Sequence, residues 1–231
     1  MGAKKLRQGS VKAAGGEGER VPAREPRRNN PEATKANIIE VATREFAENG
    51  LDGARVDEIA EKTRTSKRMI YYYFDSKEGL YEAVLEKVYS DIRNREADLK
   101  LSTLPPEEAL RRLVETTVEY DDAHPELFRL VSIENINYAR AVTRSKTIRA
   151  LNASAIEALT DILRRGYAQG VFKAKIDPTD LHMVISSLSA FRVSNRYTFG
   201  VIFGVDFNDP AVRRRHRKLI GDTVVRLAKG E

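Results

Sequence analysis

Arg68 and Tyr72 stand one helical turn apart within residues 55 to 77, and their side chains suit the groove of a nucleic acid. A guanidinium donates bidentately to guanine, and a tyrosyl hydroxyl reaches a phosphate. Val56, Ile59 and Ala60 recur at helical spacing, and so do Ile70 and Phe74, which predicts two short helices around a tight turn. Ser66 stands where an N-cap would start the second helix. At about 100° per residue, the face opposite Ile70 and Phe74 carries Arg68 and Tyr72, flanked by Met69 and Tyr71. A core helix does not place an arginine and two phenols there, whereas a helix in a major groove does. Tyr73 fits either groove contact or packing, and packing is the reading for Phe74.

This stretch resembles the TetR family of bacterial transcriptional regulators. The family signature is an Ile-Ala helix, a short turn, then Ser-Lys-x-x-(Leu/Ile)-Tyr-Tyr-(Tyr/His)-Phe-x-(Ser/Asn)-Lys. Here it runs through Ile59-Ala60, Ser66-Lys67, Ile70-Tyr71-Tyr72-Tyr73-Phe74 and Ser76-Lys77-Glu78, and the match covers roughly residues 32 to 80. The turn departs from the family's Ala-Gly-Val, reading Thr63-Arg64-Thr65. A glycine there suits φ > 0, which a bulky residue tolerates poorly, so Arg64 either alters the turn or adds a phosphate contact. The resemblance, with the wheel above, implies a DNA-binding set of Arg64, Ser66, Lys67, Arg68, Met69, Tyr71, Tyr72, Tyr73 and Lys77. It also implies double-stranded operator DNA, a second copy of the chain and a small-molecule effector of unknown identity as partners. The expected function is a ligand-released homodimeric repressor; the alternative is a constitutive TetR-like binder or activator.

The chain has 231 residues, enough for one small and one medium domain. It has no Cys, which excludes disulfides, thiolate metal sites and Cys nucleophiles. Its three His fall in separate elements, and no nucleophile elbow, phosphate loop, HExxH pair or zinc spacing occurs. No enzyme, cofactor or metal is expected. No run of about 18 apolar residues predicts a membrane span, and no signal-peptide core is present, so a cytoplasmic location is expected. Of the net charge of +6, residues 1 to 30 hold +5, eight cationic residues against three acidic ones. The remainder is near neutral, so DNA affinity must come from local placement of charge.

Residues 1–29 read as a disordered basic tail, either a passive extension or an arm that adds phosphate contacts. Residues 30–77 read as the helix-turn-helix DNA-binding domain and 78–231 as a ligand-binding and dimerisation domain, all-α throughout. Nine helices are expected. Asn30-Pro31 opens the first and Gly50 stops it; Leu104-Pro105-Pro106 breaks the fourth; His124-Pro125, Asp177-Pro178 and Asp209-Pro210 open later ones. Val201 to Phe207 is apolar, but too short and glycine-flanked to predict a strand.

On the eighth helical pattern, Met183, Ser187, Ala190 and Ser194 form a stripe of mostly small residues beside a bulky one of Leu181, Val184, Ile185, Leu188 and Phe191. Small side chains let helices approach closely. The family resemblance makes this stripe a dimer contact, together with Val212, His216, Leu219 and Ile220 on the last helix; a polar solvent face is the alternative. Tyr120, Asp121, Glu134, Asn135, Tyr138, His182 and Arg192 fall on or beside apolar stripes, where a buried polar group needs a partner. Either they satisfy one another or a ligand supplies some of the bonds. The expected pocket is lined by Phe128, Val131, Glu134, Asn135, Tyr138, His182, Leu188 and Arg192. The run from His124-Pro125-Glu126 through Glu134 to Ile176-Asp177-Pro178 loosely resembles the RutR-like subgroup, which senses a small pyrimidine; that ligand is not carried over.

Overall fold

The computed structural model describes residues 1–2 and 30–231, so the tail expected over 1–29 lies outside the described residues apart from its first two. Among the described residues there are eleven α-helices, one 3-10 turn and no strand. Helix α1 (Pro31–Gly53) kinks at Gly50, whose φ of 69° and ψ of 177° only glycine adopts readily. The sequence stop therefore marks a break inside the helix, with one further turn beyond it. Helices α2 (Val56–Thr63) and α3 (Lys67–Phe74) follow. Ile38, Ala42 and Phe46 of α1 meet Ile59 and Ile70 in a core that excludes water completely. Helix α4 (Lys77–Ala97) adds Leu80, Tyr81, Val84 and Leu85 to that core, with the Phe46 and Tyr81 rings edge to face at 5.0 Å.

A buried carboxylate locks this arrangement. Glu45 of α1 accepts from Asn49 Nδ2 at 3.0 Å, the Arg55 amide at 3.2 Å and Lys62 Nζ at 3.0 Å. Burial pushes its carboxyl pKa up, but the Lys62 and Arg55 bonds outweigh burial and hold it below the usual value. The start and the end of α2 are thereby tied to α1.

After the 3-10 turn Leu101–Thr103, the C-terminal part contains α5 (Pro106–Ala123), α6 (Pro125–Ile136), α7 (Arg140–Arg144), α8 (Lys146–Ala168), α9 (Pro178–Ser194), α10 (Arg196–Phe203) and α11 (Pro210–Lys229). Proline opens α5, α6, α9 and α11, where its missing N–H costs nothing. Asp177 and Asp209 cap α9 and α11 by accepting from the Thr179 and Ala211 amides at 2.8 and 2.7 Å. Leu110 and Val114 of α5, Leu159 and Ile162 of α8, Leu181 and Ile185 of α9 and Val224 of α11 form a second core.

Helices α7 and α10 have no counterpart among the nine expected. Tyr138 and Ala139 enter α7 at φ 58° and 55°, and Glu134 caps it by accepting from the Ala141 and Val142 amides at 3.1 Å each. Helix α10 takes up the start of the apolar run that fitted no strand, Val201 to Phe203, and none of its residues is buried within the protomer. Phe191, placed with the core stripe by its spacing, instead turns toward α10 and packs edge to face on Phe199 at 5.5 Å.

Candidate nucleic-acid interface and ligand cavity

Ser66 starts α3 by accepting from the Met69 amide at 3.2 Å, and Ile70 roots the helix in the first core. That anchoring turns Lys67, Arg68, Tyr71 and Tyr72 outward, and Tyr72 is 75% exposed. The Arg64 and Arg68 guanidinium groups have no hydrogen-bond or ion-pair partner among the described residues. Arg64 sits in the left-handed region at φ 52°, ψ 38°, so the turn keeps the backbone shape a glycine would give it. Its amide donates to the Glu61 carbonyl at 3.0 Å, closing α2. Lys67 pairs with Asp57 at 3.1 Å in solvent, a bond weak enough to exchange for a phosphate. Lys77 donates to the Asp52 carbonyl at 3.1 Å. Met69 is half-buried. Tyr73 is half-buried on the core with Lys35 Nζ 5.5 Å from its ring centroid, so packing takes most of that side chain.

Gly79 fixes the joint between α3 and α4. A Cβ there would sit 2.1 Å from the Phe74 carbonyl oxygen, so only glycine allows the end of α3 to press on the first turn of α4. Ser76 caps α4 by accepting from the Gly79 amide at 3.0 Å.

A cavity of about 470 Å³ lies between α4, α5, α6, α7, α8 and α9. Of the eight residues of the expected pocket, Phe128, Val131 and His182 line it. The other five residues of the expected pocket do not. Glu134 is spent on the α7 cap. Asn135 is exposed and bonds back to the Val131 carbonyl, and Tyr138 is 86% exposed because its left-handed backbone swings it outward. Leu188 packs on the second core. Arg192 is buried in an ion pair with Asp122 at 2.7 Å and donates to His216 Nδ1, clamping α5, α9 and α11 together.

The polar groups that do line the cavity include Arg93, Glu96, Asp121, Thr117, Arg149 and Asn152. Asp121 stood out in the sequence as a polar residue on an apolar stripe; Arg93 and Glu96 did not. Burial pushes the Asp121 carboxyl up to about 7, opposed by a hydrogen bond from Ser189. Burial also raises the Glu96 carboxyl, against the pull of Arg93, and lowers the His182 imidazole, so that histidine is neutral at pH 7.

The residues expected at a dimer contact divide. Met183 and Leu219 are 60% and 61% exposed, and Ser187 and Ser194 are open to solvent. Ala190, Val212 and His216 are half-covered within the protomer, and Ile220 belongs to the second core. The sequence reading missed α10, whose Tyr197, Val201, Ile202 and Phe203 add exposed apolar surface. Among the described residues no helix is long and apolar enough to cross a membrane, and no cluster of candidate metal ligands occurs.

Residues 38–84 match the family model described as bacterial regulatory proteins, tetR family, and residues 106–224 match the tetracyclin repressor-like C-terminal domain. The chain is 34% identical over 200 residues to the HTH-type transcriptional repressor NicS of Pseudomonas putida, covering 87% of this chain and 94% of that one. It is 28% identical over 183 residues to the HTH-type transcriptional regulator RutR of Escherichia coli K12, covering 78% of each. Among solved structures, the transcriptional regulator SCO4942 of Streptomyces coelicolor is 26% identical with a TM-score of 0.64, over 82% of this chain and 97% of that one.

Proposed function

Because the chain belongs to the TetR family of DNA-binding transcriptional regulators, we propose that it is a homodimeric repressor released from its operator by a small effector. The observation that carries this reading is the outward face of α3, where the Arg68 guanidinium and the Tyr72 hydroxyl have no hydrogen-bond partner among the described residues, on a helix capped by Ser66 and rooted by Ile70. Arg68 reads a base edge in the major groove, and Tyr72, Lys67 and Arg64 hold phosphates. Two copies associate through the exposed apolar surface of α9, α10 and α11, which sets their α3 helices about 34 Å apart, one groove repeat. The near-neutral body suits this arrangement, since affinity then rests on a few placed cations per protomer.

The cavity supports the second half of the reading. A constitutive binder has no need of a 470 Å³ space beside ionisable groups in its C-terminal bundle. An effector that binds the DNA-free conformation about 2–3 kcal/mol more tightly per dimer lowers operator affinity roughly 30–150-fold. The test is a footprint on the DNA upstream of the gene with the native protein and Arg68→Ala. The native protein should protect two half-sites. The variant should lose about 1–3 kcal/mol per half-site and discriminate less at one base position. Full affinity and selectivity in the variant would remove α3 from the role assigned to it.

A further inference from the structure

We propose that the cavity between α4, α5, α8 and α9 takes a small carboxylate with an apolar body, and that Arg93 receives the carboxylate group. This rests on the reading of the cavity as the effector site and names the chemical class of the effector. Arg93 is only 9% exposed, and its Nε and Nη1 donors have no hydrogen-bond acceptor. Glu96 forms an ion pair with Nη1 at 2.8 Å, but the contact lacks hydrogen-bond geometry and leaves the N–H without an aligned acceptor among the described residues. A buried guanidinium with two N–H groups lacking aligned acceptors favours an oxygen ligand, and a carboxylate can accept from both in a fork while competing with Glu96 for the charge.

The rest of the cavity favours an anion over a cation. The Asp121 carboxylate already accepts from the Ser189 hydroxyl, so its capacity is partly spent. Arg149 adds a second guanidinium to the lining, and an ammonium ligand would face both arginines, opposed only by Glu96, already paired with Arg93, and by Asp121. The body of the ligand meets Leu113, Phe128, Ile148 and Leu159, which offer no hydrogen bonds. About 470 Å³ accommodates a ring-sized acid with substituents. His182, Asn152 and Thr117 are available to a second heteroatom on the ligand.

The experiment is isothermal titration of the full chain with benzoate, phenylacetate and cyclohexanecarboxylate, each beside its primary amide. At least one acid should bind, with its amide at least about tenfold weaker. Arg93→Gln should bind that acid no better than the amide, and Arg93→Lys should recover part of the difference. Glu96→Gln removes the competing carboxylate and should tighten acid binding several-fold, which keeps a reading available if Arg93→Gln does not fold. An amide that binds as well as its acid, an acid indifferent to both substitutions, or no saturable binding of any acid up to about 10 mM overturns the proposal. Operator release is followed on the same samples. An acid that binds through Arg93 without releasing DNA supports the carboxylate site and sinks the release reading. A neutral molecule that releases DNA equally from the native protein and Arg93→Gln does the reverse.

Discussion

Replacing Arg64 by Gly should raise the stability of the fold and lower its affinity for DNA. Arg64 holds φ 52°, ψ 38°, a conformation that costs an L-residue about 1–2 kcal/mol. Glycine relieves that cost and returns about 0.4–1 kcal/mol as extra freedom in the unfolded chain. The backbone bond from residue 64 to the Glu61 carbonyl at 3.0 Å survives, because glycine keeps the amide. The net gain is about 0.5–1 kcal/mol, or roughly 1–4 °C in Tm for a chain of this size. On the DNA side, each protomer loses one unpaired guanidinium at the turn before α3. If Arg64 holds a phosphate, log K against log salt should flatten by about 0.9 per protomer, equally for operator and random duplex. Thermal melts give the first quantity, and fluorescence anisotropy across a salt series gives the second. A variant that melts lower than the native protein refutes the strain argument. A variant with an unchanged salt slope removes Arg64 from the DNA interface.

Glu45→Gln should destabilise the protein by about 1–3 kcal/mol, since the Lys62 and Arg55 donors lose a charged acceptor. Because the native carboxyl is held below its usual value, its contribution is complete above the unfolded pKa near 4.3 and vanishes as pH falls through the lower folded value. Melts should therefore show the variant and native curves converging in acid. Asp121 has the opposite sign: its folded carboxyl is raised to about 7, so native stability should fall from about pH 4 to about pH 7 and then level. Asp121→Asn should flatten that fall and melt higher than the native protein at pH 8, and an unchanged profile would show that the carboxyl is not desolvated. Leu219→Arg should yield monomers in sedimentation without loss of helicity, because the side chain is 61% exposed within the protomer; a stable dimer would move the interface elsewhere.

The helix boundaries were legible wherever a residue does one local job. Ser66, Asp177 and Asp209 cap helices through their own side chains, so their positions in sequence are their positions in the fold. Gly50 and the N1 prolines act just as locally. Helix α7 escaped because its cap, Glu134, reaches it from the preceding helix across a left-handed turn that no local rule requires at Tyr138 and Ala139. Helix α10 escaped because it is short, carries Gly200 in its middle and buries none of its residues, so no core-facing stripe marks it. The outward face of α3 was readable from one helix alone. The cavity was not, because its walls come from six helices. Stripe arguments place a side chain on a face, and only the packing of α5, α8 and α9 over the end of α4 makes Arg93 and Glu96 interior residues. Tyr138 shows the converse, an aromatic on a promising stripe turned out to solvent by its own φ.

Helix α4 ties these two readings together mechanically. Its C-terminal half supplies Tyr89, Ile92, Arg93 and Glu96 to the cavity, and its first turn is pressed against Phe74 through the gap left at Gly79. Arg93 and Gly79 are separated by about 20 Å along the axis at 1.5 Å per residue. A tilt of about 5° pivoting near Arg93 therefore carries the α3 end through about 2 Å, and two copies change their spacing by about 4 Å against a groove repeat of about 34 Å. If the proposed effector tilts α4, the helix acts as a lever arm whose gain is fixed by its length and stiffness. How far the reading heads part is then a matter of geometry, and an acid that shifts the short end need not resemble anything written in the operator.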